Sequence, residues 1–83
     1  MITAKQAATS AAKYLAHLVP TASPPLIEEV ELSDDRSKWL ITLSYTTPET
    51  AQLAFLGGTK TYKLFSVDAE TEEVLAMKIR DIK

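Results

Sequence analysis

Trp39-Leu40-Ile41-Thr42-Leu43-Ser44-Tyr45 decides how this chain folds. Trp39, Ile41, Leu43 and Tyr45 take one side of an extended segment, while Leu40, Thr42 and Ser44 take the other. Successive strand side chains point to opposite faces, so this alternation of aromatic and β-branched residues specifies a strand with one face in a core. Just upstream, residues 26–32 read as a second strand in which Val30 and Leu32 share a face and Glu29 and Glu31 point the other way. The turn-rich Ser33-Asp34-Asp35-Arg36-Ser37-Lys38 lies between them, so the two runs are expected to pair as a hairpin.

A sheet with one apolar face needs a cover, and the N-terminal stretch supplies it. Between Thr3 and Val19, Ala4, Ala7, Ala8, Ala11, Leu15 and Leu18 recur at three-and-four spacing, with Lys5, Thr9, Lys13 and His17 opposite, which predicts an amphipathic helix. Thr3 followed by Gln6 is a capping-box pattern, and Pro20 stops the helix at its other end. Its Ala-rich face has little bulk, so the helix is expected to lie close against a sheet that contributes the larger side chains. Pro20-Thr21-Ala22-Ser23-Pro24-Pro25 then forms a stiff connector.

Downstream of the hairpin, Thr47-Pro48-Glu49 has the signals of a helix start and Gly57-Gly58 those of a stop. Residues 48–56 therefore read equally as a short helix or a long loop. Two more strands are expected over 62–67 and 74–82, joined by Asp68-Ala69-Glu70-Thr71-Glu72-Glu73. Pairing Val67 with Leu75 and Phe65 with Met77 would put Phe65, Val67, Leu75, Met77 and Ile79 on one face and Leu64, Ala76, Lys78 and Arg80 on the other. The fold expected is α+β, an N-terminal helix packed on a four-stranded antiparallel meander sheet, forming a single domain over residues 1–83.

Phe65-Ser66-Val67-Asp68-Ala69-Glu70-Thr71-Glu72-Glu73-Val74-Leu75 resembles the C-terminal signature of PepSY domains, V-x-V-D-A-x-T-G-E-V-L. The helix and the 26–45 hairpin also fall where that family has them. The resemblance implies a cystatin-like α+β fold and a binding role, of the kind associated with peptidase propeptides and peptidase inhibition, with no catalytic residues. Such domains are commonly extracytoplasmic. Glu72 departs from the pattern, because a Gly there suits a left-handed backbone. Keeping that backbone with a non-glycine residue costs about 1–2 kcal/mol.

Composition narrows the function classes. With 83 residues, 46% apolar and 24% charged, the chain can bury one modest core. A net charge of −2 gives no electrostatic footprint for nucleic acid. The absence of cysteine leaves no disulfide, thiolate or Cys-based zinc site. No basic start and apolar run of the secretory kind opens the sequence, and no stretch nears the roughly 20 apolar residues of a membrane span. A soluble, cytoplasmic protein with no membrane partner is the expectation.

Candidate chemistry is sparse. His17, the one histidine, sits on the polar side of the helix without a placed nucleophile. Glu28, Glu29, Glu31, Asp34 and Asp35 lack the spacing of a calcium loop. Gly57-Gly58-Thr59-Lys60 lacks that of a phosphate loop. Trp39 alternates in phase with Ile41 and Leu43, which assigns it to the core in preference to a binding hot spot. No enzyme activity, cofactor, metal or small-molecule ligand is expected. The expected function is a non-catalytic protein-binding module that uses an open sheet face carrying Leu40, Thr42, Leu64 and Ala76, an edge strand, or the 46–60 segment with Phe55 and Leu56. Its partner would be another protein or a second copy in a homodimer. The alternative is the peptidase inhibitor or regulator that the PepSY resemblance suggests.

Overall fold

Thr3 caps helix α1, Ala4–Leu18, in the computed structural model, which describes residues 1–48 and 60–80. The capping box forms as its residues predict: the Gln6 amide donates to the Thr3 hydroxyl at 3.1 Å and the Thr3 amide donates to Gln6 Oε1 at 2.8 Å. At the far end the Val19 amide closes on the Leu15 carbonyl at 2.8 Å, and Pro20 follows. Ala7, Ala8, Ala11 and Leu15 are buried, while Lys5, Thr9, Lys13 and His17 are exposed. Leu18 differs from expectation: it is exposed, and Val19, one residue beyond the helix, packs against the core instead.

Four strands follow, β1 (Leu26–Leu32), β2 (Lys38–Tyr45), β3 (Thr61–Asp68) and β4 (Val74–Ile79). They form one antiparallel sheet in the order β1-β2-β3-β4, the expected meander. The reading of residues 48–56 as helix or loop falls largely on residues 49–59, outside the described residues. The end of the expected fourth strand, at 81–82, lies outside them too.

α1 crosses one face of the sheet, and the core forms where small meets large. Ala7, Ala8, Ala11 and Leu15 pack on Ile41, Leu43, Tyr45, Phe65 and Val67, with Tyr14 meeting Phe65 edge-on at 6.3 Å and 85°. Alanine permits that close approach, and the sheet supplies the volume. Trp39 packs against this core, half-buried, and its indole N–H donates to the Ile2 carbonyl at 3.2 Å.

One pairing departs from the expected register. Phe65 faces Met77 as predicted, but Val67 faces Val74, not Leu75, because the register shifts between Ser66 and Val67. The shift leaves Leu75 exposed and packs Val74 against the core. Even alternation cannot signal such an extra residue.

The turns at one end of the sheet are tied together. The Asp35 carboxylate accepts from the Ser33 hydroxyl and from the amide and hydroxyl of Ser37, beside Arg36 at φ 61°. Asp68 accepts from the amides of Glu70 and Thr71 in the β3–β4 turn. Ala69, next in sequence, is fully buried; its amide donates to the Ser37 carbonyl at 2.9 Å and its carbonyl accepts from the Ile2 amide at 2.7 Å. Glu72 keeps the left-handed backbone, φ 70°. No helix among the described residues is long and apolar enough to cross a membrane.

Candidate functional site

Leu40, Thr42, Leu64 and Ala76 come together on the sheet face away from α1. Thr42 stands between Glu29 and Leu64, Leu40 between Glu31 and Ser66, and Ala76 faces Ser66. That face is less open than a bare one-layer sheet would be. Thr42 and Ser44 are each 1% exposed, and Leu40, Leu64 and Ala76 are half-buried. Long polar side chains help to cover it. The Ser44 hydroxyl donates to Glu28 Oε2 at 2.6 Å, and Arg80, beyond β4, reaches Glu29 on β1 at 2.9 Å. That ion pair joins the two outermost strands over the row Glu29, Thr42, Leu64 and Lys78. Phe55 and Leu56 lie outside the described residues.

Of the acids clustered between residues 28 and 35, Asp35 caps the β1–β2 turn, while Glu28 and Glu29 bond to Ser44 and Arg80. Hydrogen bonds from Ser37 and Ser33 hold the Asp35 carboxyl down at about 2. The Thr71 and Glu70 amides lower that of Asp68. Burial pushes the Tyr45 phenol up. Among the described residues no group of three or more His, Cys, Asp or Glu is placed to hold a metal ion.

Among the described residues Ile79 on β4 is the most exposed large apolar side chain, at 77%, but the largest group of them lies on β1. Six of its seven residues are exposed, among them Leu26 at 55%, Ile27 at 58% and Val30 at 41%. Ile27 and Val30 pair with the fully buried Leu43 and Ile41, so they belong to the face that carries the core, yet α1 does not cover them. Between Ile27 and the helix runs an open, mostly apolar groove of about 390 Å³, with Ala8, Ala12 and Ala16 along the helix beside Thr9 and Lys13, and Pro25 and Ile27 on the strand side. The three-and-four spacing assigns Ala8 to the core and gives no role to Ala12 and Ala16. Their signal was a second alanine stripe at i, i+4, i+8, wider than one core contact requires.

The backbone at this edge also has bonding capacity. The Ser33 amide donates to the Lys38 carbonyl at 2.9 Å, which sets the phase of the antiparallel ladder. Counting back, Glu31 and Glu29 occupy positions bonded to β2, while Leu32 and Val30 direct their amides and carbonyls outward. Glu28 is the extra residue where the register shifts between Ile27 and Glu29. An edge with outward amides, apolar side chains and an apolar trough beside it can hold an extended polypeptide. Comparison of the chain with protein families, with curated proteins and with solved structures finds no match to any of them.

Proposed function

We propose that this chain is a non-catalytic protein-binding module that receives an extended segment of its partner at the β1 edge. The observation that carries the reading is the exposure of Ile27 and Val30 on the core-bearing face of the sheet, with the apolar groove beside Ile27. An incoming strand would bond to the outward groups of Val30 and Leu32 and lay alternate side chains toward the Ala8-Ala12-Ala16 stripe. The groove is open to solvent, which suits a polypeptide better than a small molecule that must be largely enclosed.

A random peptide library displayed against the protein tests this. Enriched peptides should lose binding to Ile27→Asp and keep it with Leu40→Lys. The opposite pattern would move the site to the outer sheet face. Failure to enrich anything would count against a polypeptide site altogether.

A second reading, peptidase inhibition of the PepSY kind, draws support from the β3–β4 turn. Glu72 keeps the left-handed backbone that the signature glycine suits, and the Asp68-Ala69 pair has a local reason, one capping the turn and the other packed beneath it. A peptidase panel assayed with and without the protein tests it, and uniform lack of inhibition would remove it.

A further inference from the structure

We infer, on the reading that β1 receives a partner strand, that the strand it receives alternates basic with apolar side chains. β1 presents two chemistries on its two faces. Toward the helix it offers Ile27, Val30 and the alanine groove. On the outer face stand Glu29 and Glu31, with the Glu28 carboxylate on the outer-face Ser44.

Only part of that charge is neutralised within the chain. Arg80 sits on Glu29 at 2.9 Å and Lys60 lies 4.0 Å from Glu28, whereas Glu31 has no ion pair among the described residues. Residues directly opposite on neighbouring strands share a face, so a partner's outward residues would stand beside these carboxylates and its inward residues beside Ile27 and Val30. Like charges set opposite one another destabilise pairing, and opposite charges favour it. The same rule disfavours β1 pairing with β1 of a second copy, which would bring six carboxylates to one seam. An acidic edge thus turns away its own kind and selects a basic strand.

The probes are seven-residue capped peptides. One alternates Lys and Val, one alternates Glu and Val, and one holds the Lys and Val of the first in two blocks. Each is titrated by NMR while amide exchange is followed at Val30 and Leu32. The alternating Lys–Val peptide should bind best and slow exchange at both amides, and N-methylation of its alternate amides, in either phase, should abolish the protection in one phase. Glu31→Lys should weaken that peptide about fivefold, the upper range of a cross-strand charge pair, and strengthen the Glu–Val peptide to a similar degree.

Equal binding of the Lys–Val and Glu–Val peptides would overturn the basic partner while leaving the β1 edge as the site. Equal binding of the block peptide without protection of Val30 and Leu32 would reduce the effect to surface charge and overturn strand addition. If no peptide protects those amides but light scattering shows a dimer that Ile27→Asp dissolves, the occupant is a second copy and the basic strand is wrong. No protection and a monomer at every concentration would overturn both the inference and the proposed function beneath it.

Discussion

The Ser10 hydroxyl donates to the Glu72 carboxylate at 2.5 Å, joining the middle of α1 to the β3–β4 turn across 62 residues of sequence. Glu72 is also where the backbone turns left-handed, φ 70°, a conformation that glycine adopts freely and other residues do not. One side chain thus accounts for both features: the backbone cost accompanies a helix-to-turn bond that glycine could not make.

The two effects separate by substitution. Glu72→Ala keeps the backbone cost and loses the bond, so urea unfolding should report a loss of about 1–2 kcal/mol. Glu72→Gly loses the bond but relieves the backbone, and should sit about 1 kcal/mol above the alanine variant. Ser10→Ala should cost about 1 kcal/mol in the parent and almost nothing beside Glu72→Ala. Additive losses in that pair would show that the contact carries no energy.

Ala11 and Ala12 are neighbours in different environments, Ala12 being half-buried at the margin of the core. Ala11 is fully buried against the sheet, whereas Ala12 lines the open groove. Ala11→Leu should therefore overpack the helix–sheet contact and cost about 1–3 kcal/mol or more. Ala12→Leu should leave stability within about 0.5 kcal/mol, since added bulk enters the groove, not the core. The same Ala12→Leu should block the peptides expected at the β1 edge. Thermal melting of the two variants checks the first contrast, and a large loss in Ala12→Leu would mean that the groove closes in solution.

Acid should loosen the two turns first. Asp35 is held at about 2 against an ordinary 3.8, and Asp68 is lowered as well. A depressed folded-state value means stability that is present above the unfolded value and lost as pH falls through the folded one, here from about 4 down to about 2. The melting temperature of the parent should decline across that window. Asp35→Asn, which cannot ionise, should melt below the parent at pH 6, with the gap narrowing as pH falls toward about 2. A gap between the two that stays constant with pH would detach Asp35 from the acid response.

Much of the fold was legible because local rules and the global packing agree. Thr3, Gln6 and Pro20 bound the helix as their chemistry dictates, and the alternation from Trp39 to Tyr45 placed Ile41 and Leu43 in the core. What stayed hidden depends on non-local geometry. Periodicity assigns Val30 to the inner face correctly, yet it carries no information on how far α1 extends over that face, and the uncovered margin at β1 follows from that extent. The shift that exchanges Leu75 for Val74 opposite Val67 preserves no sequence period. Nor does any spacing rule connect Ser10 with Glu72, or Glu29 with Arg80.

Thr42 shows the same limit in a single side chain. Its place in the alternation, opposite Glu29 and Leu64, marks it as an outer-face residue for which a hydroxyl is an ordinary choice. It is nevertheless 1% exposed, and its hydroxyl has no hydrogen-bond partner among the described residues. A buried hydroxyl left unpaired forfeits its hydration without compensation, at about 1–3 kcal/mol. Valine has nearly the same shape and nothing to satisfy, and it favours a strand as strongly. Thr42→Val should therefore raise stability by about 1 kcal/mol in urea unfolding, with the slope of the transition unchanged. Thr42→Ser keeps the hydroxyl and removes the methyl, so it should lower stability. If valine destabilised as serine does, the Thr42 hydroxyl would have to be bonded in solution, and the outer face around Glu29 and Arg80 would owe part of its order to that bond.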